Sequence, residues 1–123
     1  MLTSEQLQIR DAARTFAQRE IVPHAAEWDR ECSTPRELYR AMADIGLMGV
    51  TIDPRYGGAG ADFVSYALAI EEISAADGGI SNVMAANNSP VGVALQNTGS
   101  DWQKQNYLTK LTSGEWIGCI QLT

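Results

Sequence analysis

The amino-terminal part of the chain alternates apolar and polar residues with helical spacing. Apolar residues return every three or four positions, while arginines and Glu20 occupy the opposite face. This pattern is typical of an amphipathic helix that packs one side on a core. Pro23 lies inside the helix and removes one hydrogen bond, so we expect a bend there without a break. The apolar stripe consists of Ile9, Ala13, Phe16, Ala17, Ile21, Ala25 and Trp28.

A second, shorter helix is predicted to begin at Thr34 and to end at Gly46. Thr34 and Glu37 have the spacing of a capping box, and Pro35 would occupy the first helical position, where proline is favoured. Gly46 can adopt the left-handed conformation that ends a helix. Residues 46–62 are rich in glycine and proline, which predicts an ordered loop with a short extended piece at 50–52.

A third helix is predicted to follow this loop and to end at the Gly78-Gly79 pair, because consecutive glycines disfavour helix. The apolar spacing indicates that one face of this helix is buried. That face would consist of Phe63, Tyr66, Ala67, Ile70 and Ser74.

The fourth predicted helix runs from about residue 80 to residue 97 and carries no charge on any side. Since a helix without charged residues is usually covered by others, we expect it to be central. Asn87 is a polar residue on its apolar stripe, where burial without a partner would cost about 1–3 kcal/mol. Pro90 lies further along the helix and frees the carbonyl of Ala86.

A fifth helix is predicted after Gly99, with Ser100 and Gln103 as a capping box and Gly114 after its end. Residues 115–123 are rich in β-forming residues and predict one strand. A single strand is not stable without a partner, so the sequence looks unfinished at its carboxyl end. We therefore divide the chain into a helical domain, 1–114, and the incomplete start of a β domain, 115–123.

Together these elements predict an all-α fold, an up-and-down bundle of about five helices followed by one short strand. The 123 residues fit one domain, and the net charge of −6 argues against nucleic-acid binding. Cys32 and Cys119 are far apart and predict free thiols. Neither a signal peptide nor an apolar run long enough for a membrane span is recognisable, so we expect a cytoplasmic protein.

Several motifs occur in a fixed order along the chain. They are ARTFAQREIVPHAAEWD at 13–29, IGLMGV at 45–50, DPRYGGAG at 53–60, EEIS at 71–74, GSDWQKQNYL at 99–108 and GCIQLT at 118–123. In this order and spacing they resemble the amino-terminal domain of the acyl-CoA dehydrogenase family over essentially the whole chain. In that family a β-barrel-like middle domain follows, and the resemblance implies that this sequence stops at its first strand.

The resemblance implies an enzyme that removes an α-proton and a β-hydride from an acyl-CoA thioester with FAD as cofactor. The catalytic glutamate belongs to a later domain of the family, so we assign no catalytic residue and no metal site to this chain. FAD is not expected to bind to these 123 residues alone, because most of its binding surface lies in other domains. The family also implies an electron-transfer partner and a homo-oligomer.

By the same resemblance, the segment at the carboxyl end contacts the flavin ring. The backbone of Leu122 and the amide and hydroxyl of Thr123 would hydrogen-bond the ring, with Ile120 beside them. A frayed terminus is the structural alternative. Ile120 and Gln121 replace an aromatic and a small residue that are common in relatives. This departure leaves open whether the chemistry is that of a dehydrogenase, an acyl-CoA oxidase or a flavin monooxygenase.

The resemblance also implies that the exposed edge of the fourth helix lines the acyl channel. This edge corresponds to Asn82, Val83, Ala86, Asn87 and Pro90. For Asn87 an interhelical hydrogen bond is an equally good interpretation, and packing is the alternative for the others.

Two further alternatives concern the whole chain and its charged residues. The chain could be a non-catalytic helical interaction module, which would be a stable monomer with an ordered tail. Glu71 and Glu72 point about 100° apart on a helix, so we interpret them as a solvated or salt-bridged edge and not as an acid–base pair. His24 is the only histidine in the sequence, and we assign it neither a metal-binding nor a nucleophilic role.

Overall fold

A computed structural model describes residues 1–121, and within them the chain is helical and contains no β-strand. The all-α prediction is therefore confirmed. Eight α-helices occur in the described residues, several of them joined by single turns of wider π-helix or by a short 3-10 helix. Their bounds are α1 Ser4–Phe16, α2 Ala25–Glu31, α3 Arg36–Asp44, α4 Phe63–Ala76, α5 Gly78–Ala86, α6 Val93–Thr98, α7 Asp101–Gln103 and α8 Thr109–Thr112.

The predicted first helix is divided into two parts. α1 continues through a π-helical turn, Ala17–Ile21, and the chain then makes a turn before α2 begins at Ala25. Pro23 has no N–H to donate, and the next amide, that of His24, bonds the carbonyl of Ile21 at 2.9 Å. The expected bend is thus an interruption, because the proline and the wide turn before it together leave the helical hydrogen-bond pattern.

α3 ends as predicted, with Gly46 in the left-handed region at φ 84°. The predicted capping box at its start is wrong, because Pro35 occupies the N-cap position and no side chain caps the helix. Leu38, Tyr39 and Met42 turn into the core.

The loop at 46–62 is ordered and folds back on itself. The amides of Ala59 and Ala61 bond the carbonyls of Gly49 and Val50 at 2.9 and 2.8 Å. Residues on the inner side of the loop are nearly inaccessible to solvent, namely Leu47, Met48, Val50 and Ile52. Four buried side chains in one loop make it part of the core and fix its path across the helices.

The buried face of α4 differs from the predicted one. Ser65, Ala69 and Ile73 are buried, whereas Phe63 is 59% exposed. α4 is apolar on several sides, so its sequence does not show which side faces the core. Packing against α1 and α5 decides the orientation.

The uncharged helix is bent in the middle. α5 begins at Gly78 with Asp77 as its N-cap, and a π-helical turn, Asn87–Gly92, leads into α6. Ser89 has an extended backbone within that turn, and the Ser89-Pro90 peptide bond is cis. The helix is not covered on all sides, since Asn82, Pro90, Ala94, Asn97 and Thr98 are exposed.

The last helical region begins with the predicted capping box, in which Ser100 and Gln103 bond each other's backbone amides. Gly114 follows its end at φ 70°. Residues 115–121, called the exit segment below, have no regular secondary structure. Their assignment to the first strand of a further domain stays a prediction. A strand requires a paired neighbour, and the described residues offer none.

Candidate functional site

Asn87 lies inside the domain, where its side-chain amide joins three separate segments. Its Nδ2 donates to the carbonyl of Met48 in the loop at 2.9 Å and to that of Leu111 in α8 at 3.1 Å. Its Oδ1 accepts a hydrogen bond from the amide of Gly118 in the exit segment at 2.8 Å. The side chain is 1% exposed. These bonds give the buried Asn87 a structural role, while its contact with a channel stays a prediction.

Asn88 is a second buried asparagine, which sequence reasoning missed. Its Nδ2 donates to the carbonyls of Leu47 and Met84 at 2.8 and 2.9 Å, and its Oδ1 accepts from the amide of Val50 at 2.7 Å. The signal that could have revealed it is the Asn-Asn pair just before Ser89-Pro90. A helix that breaks at this point leaves backbone groups in need of partners.

Both asparagines satisfy backbone groups around the break in the helix. Asn88 bonds the carbonyl of Met84 in the helix itself, whereas Asn87 bonds groups of the loop, α8 and the exit segment. Within residues 1–121 no buried side-chain nitrogen or oxygen is left without a hydrogen-bond partner. Because an unpaired buried polar group costs about 1–3 kcal/mol, truncating either asparagine should be expensive. The loop, α8 and the exit segment are thus held at fixed positions around the bend.

The other candidate wall residues lie at the surface of the same helix. Asn82 and Pro90 are exposed, and Val83 and Ala86 are half-buried. Asn82 and Ala86 are four positions apart and share one side of α5. Val83 packs partly against the core beside them, and Pro90 follows the bend at Ser89. No charged residue occurs between Asp77 and Asp101, so this side is a neutral surface that a hydrocarbon chain can approach without desolvating an ion. We call Asn82, Val83, Ala86 and Pro90 the neutral face.

The exit segment leaves the domain beside an apolar cleft. The cleft has a volume of about 280 Å³ and lies between the uncharged helix, α8 and the segment itself. Ile120 is 51% exposed. The candidate flavin contacts Leu122 and Thr123 lie outside the described residues. The cleft is lined by Val91, Leu95, Tyr107, Leu111, Trp116, Ile117, Gly118 and Cys119.

The exit segment carries donors that suit a planar heteroaromatic ring. The amide of Gly118 is bonded to Asn87, but those of Cys119, Ile120 and Gln121 donate to no other described residue. Backbone N–H groups in extended chain can bond the polar edge of a ring such as a flavin. The residues present are therefore compatible with FAD at this end of the domain.

The acidic pair on α4 has a structural role. Glu72 forms two hydrogen bonds with Arg14 of α1, and this partner lowers the pKa of the Glu72 carboxyl. The salt-bridged interpretation is confirmed for Glu72. His24 is exposed and stacks on Trp28 with a ring separation of 5.4 Å.

Other kinds of site find no support in the part of the chain that the structure describes. No group of three potential metal ligands occurs among residues 1–121. Cys32 and Cys119 are exposed and unpaired with each other, as the sequence predicted. None of the described helices is both long and apolar enough to cross a membrane. The fold and the neutral face thus define an all-helical domain with an uncharged surface on one helical unit.

Comparison with known proteins identifies the family. The model for the acyl-CoA dehydrogenase N-terminal domain matches residues 3–115, so the chain belongs to that family. A probable acyl-CoA dehydrogenase, YngJ of Bacillus subtilis, is 40% identical over 122 residues. This alignment covers 99% of the chain and 32% of the relative. The chain therefore spans about a third of the length of that relative.

Solved structures agree in fold. The chain superposes on glutaryl-CoA dehydrogenase from Mycobacterium smegmatis with a TM-score of 0.89 at 37% identity, covering 95% of this chain and 30% of that one. A further glutaryl-CoA dehydrogenase structure from Mycobacterium smegmatis, in complex with FADH2, gives a TM-score of 0.89 at 28% identity and covers 94% and 30%. The family resemblance predicted from the motifs is confirmed.

Proposed function

We propose that this chain is the amino-terminal helical domain of an FAD-dependent acyl-CoA dehydrogenase and supplies one wall of the acyl channel. The observation that carries the proposal is the neutral face. It is solvent-accessible, it has no charge, and it lies on the helix whose buried Asn87 bonds the exit segment. Family membership supports the reaction class, since the matched relatives are acyl-CoA dehydrogenases.

The residues of this chain would bind and shield the substrate and would carry out no proton transfer. When bound, FAD supplies the hydride acceptor for the oxidation of the Cα–Cβ bond. Val83, Ala86 and Pro90 would contact the acyl chain and exclude water from it, with Asn82 at the edge. We assign no catalytic residue to residues 1–121 and expect the proton-accepting carboxylate elsewhere in the full-length protein.

At the carboxyl end, we propose that Leu122 and Thr123 bond the flavin ring and that Ile120 packs beside it. The free backbone amides next to them support this role. The full-length protein would take acyl-CoA as substrate, pass electrons to a protein partner, form a homo-oligomer and work in the cytoplasm.

Acyl-chain selectivity tests the wall directly. In the full-length protein, Ala86→Leu adds three carbons to the neutral face and should shorten the preferred acyl chain. We expect kcat/KM for the longest good substrate to fall by about tenfold or more, because a pocket that loses this much space rejects extra methylenes. The measurement is kcat/KM across a series of saturated acyl-CoA thioesters.

Ala75→Leu is the matched control, because Ala75 is an exposed alanine on α4 and lies outside the uncharged helical unit. It should leave the preferred chain length unchanged. An identical profile for Ala86→Leu and the unsubstituted protein would refute the proposed wall. Turnover that depends on O₂ and releases H₂O₂ would indicate an acyl-CoA oxidase in place of a dehydrogenase.

A further inference from the structure

We propose that Asn87 is a positioning residue that fixes the exit segment relative to the neutral face. This inference rests on the proposed function, because it makes Asn87 responsible for the distance between the acyl wall and the flavin-facing end of the chain. Asn87 was predicted above to line the channel, and its burial favours a different role. Its hydrogen bonds suggest an indirect one.

The orientation of the Asn87 amide is fixed by its partners. Two carbonyls, of Met48 and Leu111, face Nδ2, and one N–H, of Gly118, faces Oδ1. A rotation by 180° would place the oxygen against two carbonyls and the NH₂ group against an N–H, which removes all three bonds. The acceptor for Gly118 is therefore held in one place by groups from two other segments.

Steric contact holds the same point from another side. A Cβ atom added to Gly118 would lie 2.9 Å from Cγ1 of Val91 and 3.0 Å from its Cβ, closer than carbon atoms normally approach. The backbone of the exit segment is thus packed directly on the uncharged helix. Only glycine allows this approach at position 118.

Gly118 is also the last described residue of the exit segment whose backbone amide is tied to the domain. Before it, the amide of Trp116 bonds the carbonyl of Lys110 at 3.0 Å, and the Lys110 ammonium lies 4.4 Å from the centre of the Trp116 ring. After Gly118, the backbone amides of residues 119–121 donate hydrogen bonds to no other described residue. Ile120 is two residues further along the chain, at most about 7 Å away, so a shift at Gly118 displaces it as well.

Asn88 provides a matched control for Asn87. It is the neighbouring residue, is 0% exposed, and also makes three hydrogen bonds to backbone groups. Its partners are Leu47, Val50 and Met84, and none belongs to the exit segment. Replacing either asparagine by alanine should destabilise the domain similarly, but only the Asn87 substitution should release the exit segment.

Hydrogen exchange in the full-length protein tests this difference. In Asn87→Ala, peptides that contain the Gly118 amide should exchange at least about tenfold faster, because a buried hydrogen bond is lost. Peptides that contain the Val50 amide should change less. In Asn88→Ala, peptides that contain the Val50 amide should show the larger increase in exchange rate, and those that contain the Gly118 amide the smaller one. Unchanged protection of Gly118 in Asn87→Ala would overturn the proposal, whether or not the protein binds FAD.

Flavin binding tests the functional part. We expect Asn87→Ala to weaken FAD retention about tenfold or more and to shift the visible flavin spectrum. Asn88→Ala should lose a comparable amount of thermal stability but should keep the FAD retention and the flavin spectrum of the unsubstituted protein. Equal effects in the two variants would overturn the positioning role. If the unsubstituted full-length protein binds no FAD, the proposed function fails, while the exchange experiment still decides whether Asn87 holds Gly118.

A second pair of variants covers the case in which Asn87→Ala does not fold. Gly118→Ala leaves Asn87 intact but forces the exit segment away from Val91, and it should also weaken FAD retention. Gly78→Ala is its control, since no atom lies within 4 Å of the added Cβ. Tight FAD binding by Gly118→Ala, equal to that of Gly78→Ala, would contradict the proposal.

Discussion

Arg14 on α1 and Glu72 on α4 face each other through two parallel hydrogen bonds. Nε of Arg14 bonds one carboxylate oxygen at 2.9 Å, and its NH2 group bonds the other at 2.6 Å. This bidentate geometry fixes both side chains and sets the register between the two helices. Glu72 is 15% exposed and Arg14 is 52% exposed, so the pair closes one edge of the core while remaining in contact with water.

The pair should make stability depend on pH in a specific direction. Arg14 lowers the pKa of Glu72 below its ordinary value of 4.5. The interaction therefore stabilises the fold at pH values above 4.5 and is lost as the pH falls through the lowered pKa, where the folded carboxylate is protonated. In Arg14→Met this contribution is missing. The difference in the free energy of unfolding between the two proteins should shrink as the pH falls.

Denaturant unfolding at a series of pH values measures this difference. Arg19→Met is the control, because Arg19 is 73% exposed and, among residues 1–121, pairs with its neighbour Glu20 alone. The free energy of unfolding of Arg19→Met should differ little from that of the unsubstituted protein, and the difference should be nearly independent of pH. A constant difference for Arg14→Met down to acid pH would show that the pair does not couple α1 to α4.

The loop that carries the YGGAG sequence is predicted to tolerate no side chain at position 58. A Cβ atom on Gly58 would overlap the carbonyl group of Ile52. We expect Gly58→Ala to cost about 3 kcal/mol or more, since the obstacle is backbone that cannot move without breaking the loop. Urea unfolding at neutral pH checks this.

Gly78→Ala is the comparison for the loop substitution. Gly78 is the first residue of α5 and has open space around it, so alanine should leave stability unchanged or raise it by up to about 1 kcal/mol. A loss of stability at position 78 similar to that at position 58 would mean that the steric account of the loop is wrong.

The orientation of α4 leads to a further prediction. Ile73 is 0% exposed and lies in the core, so Ile73→Ala should cost about 2–5 kcal/mol. Phe63 is 59% exposed on the same helix, and Phe63→Ala should change the free energy of unfolding by less than about 0.5 kcal/mol. Chemical unfolding of both variants distinguishes the observed face from the one that the sequence predicted, which would give the opposite order.

Local signals predicted the ends of several helices correctly. The Ser100 and Gln103 pair caps its helix, and Gly46 and Gly114 adopt the positive φ that ends a helix. These signals work because the groups that interact are a few residues apart. The family motifs were equally readable, since their order along the chain is itself a property of the sequence.

Features that depend on distant parts of the chain were not predictable. The buried face of α4 is set by α1 and α5, because several sides of that helix are apolar. Asn88 bonds backbone groups of both the loop and the bent helix, which only the fold brings together. The sequence of neither segment alone predicts this contact. For Asn87 the sequence indicated an important position, but only the three partners show that it holds the exit segment.

We propose that this domain belongs to an enzyme that oxidises acyl-CoA with its own flavin. The most direct measurement is an anaerobic titration of the purified full-length protein with saturated acyl-CoA thioesters, followed by visible absorbance. We predict that the oxidised flavin band bleaches on addition of a thioester of suitable chain length and that the matching α,β-unsaturated acyl-CoA forms in equal amount. A protein that carries oxidised FAD and shows no bleaching with any acyl-CoA in the series would refute this proposal.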